Sequence, residues 1–183
     1  MPRRGTGVPS GSGAGSGSAA LCDERVFDAF ANAEKKRRWF FESSHHTLQS
    51  HELDFKVGGK ERAELKMGPG TPIAGMTILN DTVYEDIQPN RRIVTAYRMS
   101  LDGRPFSVSL ATIELLPSQA GTDLILTHQG AYLEGADGPE MRKGGWEHLL
   151  ERLGEELGAA GSKQILRLTT PELKHVRGPV RSE

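Results

Sequence analysis

Cysteine is almost absent. Cys22 stands alone in 183 residues, so no intrachain disulfide and no thiolate metal cluster can form, and a reducing cytoplasm is the expected setting. Long apolar runs are missing as well. Nothing approaches the ~20 apolar residues of a membrane span, and Arg3-Arg4 leads into Gly and Ser instead of the apolar stretch of a secretory signal. Charge of one sign is lacking too. Lys and Arg number 23 against 24 Asp and Glu, a formal charge of −1, and the basic residues are scattered, so nucleic acid and acidic membranes are not expected partners. Nucleophile-elbow serine, phosphate-cradling glycine loop and Cys-His pair are all missing, and no cofactor is expected. His45, His46, His51 and Glu52 are metal-ligand types. Consecutive strand residues point to opposite faces, however, so no metal site is expected there.

What is present falls into three zones. Residues 1–22 open with six Gly and four Ser in the first twenty positions, a composition that cannot offset the entropy of ordering and predicts a flexible arm. Residues 23–158 carry regular patterns and form one domain. Residues 159–183 contain Pro171, Gly178 and Pro179 without a sustained period, which predicts a loose tail.

Within the patterned zone, Val26, Phe27 and Phe30 recur at helical spacing behind Asp23, which can cap the first turn, and Lys35 to Arg38 place positive charge after it. The aromatic run Trp39-Phe40-Phe41 follows, and three consecutive aromatics from one helical turn are not all expected to face inward. Six alternating segments come next: His46 to Val57, Arg62 to Met67, Thr77 to Ile87, Arg92 to Leu101, Phe106 to Leu116 and Asp123 to Leu133. Gly58-Gly59, Gly68-Pro69-Gly70, Pro89-Asn90, Asp102-Gly103 and Ala120-Gly121 separate them as turns, which predicts an antiparallel meander. Trp146, Leu149, Leu150, Leu153 and Leu157 then mark a long amphipathic helix that stops at Gly158.

A short helix, six strands and a closing helix must bury a sheet face against a helix stripe, which makes the chain α+β. A curved antiparallel sheet wrapped around a long C-terminal helix leaves an apolar concavity. Four segments make the pattern specific: Arg25-Val-Phe-Asp-Ala-Phe30 with Arg38-Trp-Phe40, Tyr84-Glu-Asp-Ile-Gln-Pro89 with Arg92-Ile-Val94, Gly121-Thr-Asp-Leu124, and Gly144-Gly-Trp146. In this order they resemble the START-like, or SRPBCC (polyketide-cyclase-like), superfamily, in the branch of the activator of heat-shock protein 90 ATPase homologues. The resemblance implies a helix-grip fold over about Asp23 to Leu157. It does not choose among lipid carriers, cyclases, hydrolases and co-chaperone domains. Where that family has a strand before the first helix, this sequence has the tract Gly11 to Ala20.

Candidate ligand-binding residues are Trp39, Phe40, Leu53, Phe55, Leu65, Met67, Tyr97, Met99, Phe106, Trp146, Leu149 and Leu150, each of which could instead be plain core. Glu85, Arg98 and His128 are the polar groups that could reach the concave side, with Glu85 and His128 as weak candidates for a general acid or base. Three functions follow as expectations: non-catalytic binding of a small hydrophobic or amphipathic molecule, a co-chaperone-like module contacting its partner through Trp39 to Phe41 or a sheet edge, and a cyclase- or hydrolase-like enzyme. With no strong first strand, the edge of the last strand needs cover from Gln164 to Thr170 or from a second subunit, and a homodimer is favoured over a monomer.

Overall fold

In the computed structural model, residues 23–118, 121–133, 136, 138–158 and 167–169 are described; the expected arm and most of the expected tail lie outside them. The element order is α1 (Asp23–Ala31), α2 (Ala33–Lys36), a π-helical turn (Arg37–Phe41), β1 (His46–Leu53), β2 (Lys60–Met67), β3 (Thr77–Gln88), β4 (Arg92–Leu101), β5 (Arg104–Ser118), β6 (Gly121–Tyr132), α3 (Gly138–Glu156) and β7 (Arg167–Thr169). Strands β1 to β6 form a curved antiparallel meander in sequence order, and β7 adds to the β6 edge in parallel, with Leu126 opposite Leu168. The expected cover of that edge thus includes three residues of the tail; Gln164, Ile165, Leu166 and Thr170 lie outside the described residues.

Turn chemistry sets the meander. Asp102 and Gly103 both take positive φ (45° and 80°), as a two-residue hairpin turn requires, and the Asp102 side chain accepts from the Thr77 backbone N–H at 2.8 Å. The β1–β2 connection departs from expectation. The strand ends at Leu53, and residues 54–59 form a loop that leaves Val57 59% exposed instead of on an inner face. That loop needs glycine: a Cβ on Gly59 would stand 2.1 Å from the Asp54 carbonyl oxygen. It closes on β3 by hydrogen bonds from Gly58 N–H to the Tyr84 carbonyl and from Tyr84 N–H to the Gly59 carbonyl.

The core lies between the inner sheet face and the helices, around Val26, Phe30, Trp39, Ile93, Leu126, Trp146, Leu150 and Leu153. Asn32 breaks α1 from α2; its side chain accepts from the N–H groups of Glu34 and Lys35 and so restarts the helix. The widened turn that follows places the aromatic run, with Phe40 the one ring left half-buried, lining a cavity. Trp39 and Phe41 are both buried and Phe40 is half-buried against the core, because each ring meets a different neighbour. Trp39 stacks edge-on with Phe30 of α1 and Phe40 with Trp146 of α3, and Phe41 lies tilted against His51 of β1. Arg38 pairs with Glu156, and Arg152 donates to the Arg38 carbonyl, tying the end of α3 to this turn.

Helix α3 carries glycines with open space around them. Gly144 is exposed in mid-helix, and a Cβ there would meet nothing within 4 Å. Gly144→Ala is therefore expected to raise stability by about 0.5–1 kcal/mol through the unfolded-state entropy that glycine carries. Urea denaturation checks it, and a loss of stability would contradict the helical placement of this residue.

Candidate functional site

Between the inner sheet face, the π-helical turn and α3 lies a cavity of about 310 Å³. Alternation along β3 and β4 sends Asn80, Thr82 and Tyr84, and Ile93, Thr95, Tyr97 and Met99, into it, while α3 contributes Met141, Arg142, Gly145, Trp146 and Leu149. Phe40 and Phe41 close one side and Ile113 the base. The walls are thus largely apolar, with two polar clusters set into them.

The first cluster joins α2 to β1, β2 and β3. Lys36 at the end of α2 forms an ion pair with Glu61 of β2, both side chains more than nine-tenths buried. The Tyr84 hydroxyl donates to the same Glu61 oxygen at 2.7 Å and accepts from Lys36 at 3.0 Å. The other Glu61 oxygen, Oε1, accepts from His51 Nε2 at 2.9 Å. Burial by itself would raise the Glu61 pKa, yet the adjacent Lys36 charge and the hydrogen bonds from His51, Lys36 and Tyr84 outweigh it and hold the group at about 2, below its ordinary 4.5. Tyr84 is shifted upward, first by burial and then by the Glu61 charge, and stays a neutral donor.

A consequence for acid stability follows. With a folded value below the unfolded one, Glu61 contributes stability that is complete above pH 4.5 and is lost as the pH falls through about 4.5 toward 2. The amount is on the order of 3 kcal/mol. Denaturation midpoints measured at steps of pH through this window should drop steeply in the wild type and less in Glu61→Gln; equal slopes would contradict the assignment.

The second cluster centres on Tyr97. Its hydroxyl receives long hydrogen bonds from Arg142 and from Trp146 Nε1, both at 3.3 Å, and lies 2.9 Å from His128 Nε2. With two N–H donors on the oxygen, the hydroxyl hydrogen is left for His128 Nε2. Arg142 reaches past Tyr97 to Ser107 Oγ at 3.0 Å and stacks over Tyr97 and Tyr132. These bonds anchor α3 on β4 and β5.

The structure brings Phe40, Tyr97, Met99, Trp146 and Leu149 together around the cavity, and leaves the other candidates outside its lining. Trp39 is sealed in the core, its Nε1 donating to the Ala29 carbonyl, and Leu150 is also buried core. Leu53 and Phe55 pack partly buried against the core, Phe55 edge-on to Tyr84. Leu65 and Met67 keep the inward parity of β2 but lie beyond the cavity, and Phe106 is half-buried at the start of β5. Glu85 is exposed at a bulge in β3, Arg98 pairs with Asp81 on the outer face, and His128 is buried behind Tyr97. Placement therefore gives Glu85 no contact with the cavity. His46 donates to the Phe41 carbonyl, and among the described residues no group of three or more His, Cys, Asp or Glu is placed to hold a metal ion. No helix among them is long and apolar enough to cross a membrane.

Sequence reasoning missed Lys36, Glu61, Tyr84 and Arg142. A signal existed for two of them: Glu61 shares the parity of Ala63, Leu65 and Met67, and Arg142 lies four residues before Trp146 on the buried stripe.

Comparison with known proteins agrees with this architecture. The family described as Activator of Hsp90 ATPase homolog 1-like protein matches residues 22–158. The chain belongs to this family. Among solved structures, a Rhizobium leguminosarum protein is 31% identical with a TM-score of 0.68, covering 76% of this chain and 89% of its own. The Mll3558 protein of Rhizobium loti is 36% identical with a TM-score of 0.64, covering 75% and 90%. An AHSA1-like protein from Aeromonas hydrophila, 18% identical with a TM-score of 0.54 over 78% and 88%, shares the fold. No curated protein matches the chain. Membership of this family carries the helix-grip architecture.

Proposed function

We propose that this chain binds a small hydrophobic or amphipathic molecule in the cavity between the sheet and α3, without catalysis. The single observation that supports the reading best is the cavity itself: about 310 Å³, walled by Phe40, Ile93, Met99, Ile113, Trp146 and Leu149, with the Lys36–Glu61–Tyr84 and Tyr97–Arg142 groups and the side chains of Asn80, Thr82 and Thr95 as its polar points. Sites for small apolar ligands are of this kind, concave and preformed, with a few polar groups that orient the guest. The ionisable groups Lys36 and Glu61 are paired with each other, which suits holding a guest better than transforming it. Cys22 as the sole cysteine favours a reducing cytoplasm.

Native mass spectrometry of protein purified from its own host tests this and counts subunits in the same spectrum. Retained mass above that of the chain is expected, and Thr95→Phe, which places a ring inside the cavity, should abolish it. Identical unliganded masses for both proteins would count against the reading, and a dimer mass would support the homodimer favoured above.

The family description supports a second reading, a co-chaperone-like module acting on the Hsp90 ATPase. Trp39 and Phe41 are buried and cannot be its contact. The sheet edge at β1 is left for it, as is the outer sheet face, where Val108 and Leu110 are exposed. Unchanged chaperone ATPase rates in the presence of excess protein would remove this reading.

A further inference from the structure

The Lys36 ammonium has three N–H donors. Among the described residues its partners are Glu61 Oε2 and the Tyr84 hydroxyl, with the Phe40 and Tyr84 rings nearby at 5.3 and 5.5 Å. One donor is therefore without an oxygen or nitrogen acceptor, on a side chain that is 7% exposed and lines the cavity. The chemistry of that wall restricts what can meet it. Glu61 already neutralises Lys36 in direct contact, so an anionic ligand would bring a second negative charge beside Glu61 in a poorly solvated place. A cationic ligand would meet the Lys36 charge and compete with His51, Lys36 and Tyr84 for the Glu61 oxygens. A purely apolar ligand would expel water and leave the donor buried without an acceptor. A carbonyl oxygen accepts that N–H, carries no net charge and brings no hydrogen that needs an acceptor of its own.

Resting on the ligand-binding reading above, we propose that the cavity takes a neutral, largely apolar molecule bearing a carbonyl group, with the carbonyl oxygen accepting from Lys36 beside Tyr84 and the apolar body lying between Met99, Ile113, Trp146 and Leu149. The Lys36–Glu61–Tyr84–His51 cluster is then both the anchor of α2 on the sheet and the polar end of the site.

Two probes of matched shape test this, 2-acetonaphthone and 2-ethylnaphthalene, which differ by a carbonyl in place of a methylene. Each is titrated by isothermal calorimetry into the full chain and into the double variant Lys36→Met/Glu61→Gln. The double variant is chosen because Lys36→Met alone strands the Glu61 charge and can prevent folding; retained circular dichroism and melting confirm its fold. The ratio of ketone to hydrocarbon affinity is expected to fall by about tenfold or more in the double variant, since a hydrogen bond to a charged donor is lost, while 2-ethylnaphthalene still binds. If both probes bind and the ratio is unchanged, the carbonyl assignment is overturned and the apolar-ligand reading stands. Binding of neither probe to wild type would overturn both.

Discussion

Lys36→Met is expected to lower stability by about 3–5 kcal/mol, far more than removal of a surface lysine. The reason is not the attraction lost but the charge left behind. Glu61 is 4% exposed, and its ionised form is held by the Lys36 ammonium beside it; breaking one side of a buried pair leaves an uncompensated carboxylate in a low-dielectric wall. Glu61 can then protonate, with hydrogen bonds from His51 and Tyr84 disrupted, or draw water into the cavity. Either route loosens the junction of α2 with β2. The double variant Lys36→Met/Glu61→Gln should recover most of the loss, because no charge is left buried, the amide oxygen still accepts from one of Tyr84 and His51 while its NH2 donates to the other, and the methionine fills the volume of the lysine stem. Guanidinium denaturation of the wild type, the single variant and the double variant measures this. A single-variant loss below about 1 kcal/mol, the range of exposed pairs, would show that the pair is solvated.

Trp146→Ala should cost a similar amount, about 3–5 kcal/mol. The indole is 7% exposed, stacks edge-on with Phe40 at 5.6 Å, and donates to the Tyr97 hydroxyl. It is the largest side chain by which α3 touches both the π-helical turn and the sheet. Truncation would add its volume to the existing cavity, and an empty space bordered by rigid strands and a tied-down helix has little means of collapsing. Trp146→Phe keeps most of the ring and loses one long hydrogen bond, so a loss of only about 1 kcal/mol is expected. Urea denaturation of the two variants separates the contributions. Equal losses would mean that the hydrogen bond to Tyr97, and not ring volume, seats the helix.

Much of the fold was legible because its signals are local. Strand β4 was read at its observed bounds from alternation between Asn90 and Asp102, both of which take positive φ as turn residues do. The stripe from Trp146 to Leu153 placed α3 against the sheet for the same reason, a period that repeats within one element. Val57 was misread because alternation alone cannot show where a strand yields to a loop, and only the close approach of Gly59 to Asp54 dictates the turn there. The candidate site was legible in part. Tyr97, Met99 and Phe106 were chosen as neighbours across the Asp102-Gly103 turn, but only Tyr97 and Met99 line the cavity, because lining depends on how far the sheet curves over them, which a turn does not contain. Lys36 and Glu61 escaped for a deeper reason. Charged residues are presumed solvated until a partner is seen, and these two stand 25 positions apart on a helix and a strand whose contact is tertiary. Of the aromatics Trp39 to Phe41, the expectation that not all are sealed inward holds for Phe40, while the widened turn Arg37–Phe41 lets the other two be buried against separate neighbours.

The central claim, a ligand held between the sheet and α3, is tested most directly by NMR of isotope-labelled protein titrated with 2-ethylnaphthalene. Intermolecular Overhauser contacts are predicted from the naphthalene protons to the methyl groups of Met99, Ile113 and Leu149 and to the Trp146 ring, all of which line the cavity. No contacts up to the solubility limit of the probe, or contacts confined to Val108 and Leu110 on the outer face, would contradict it.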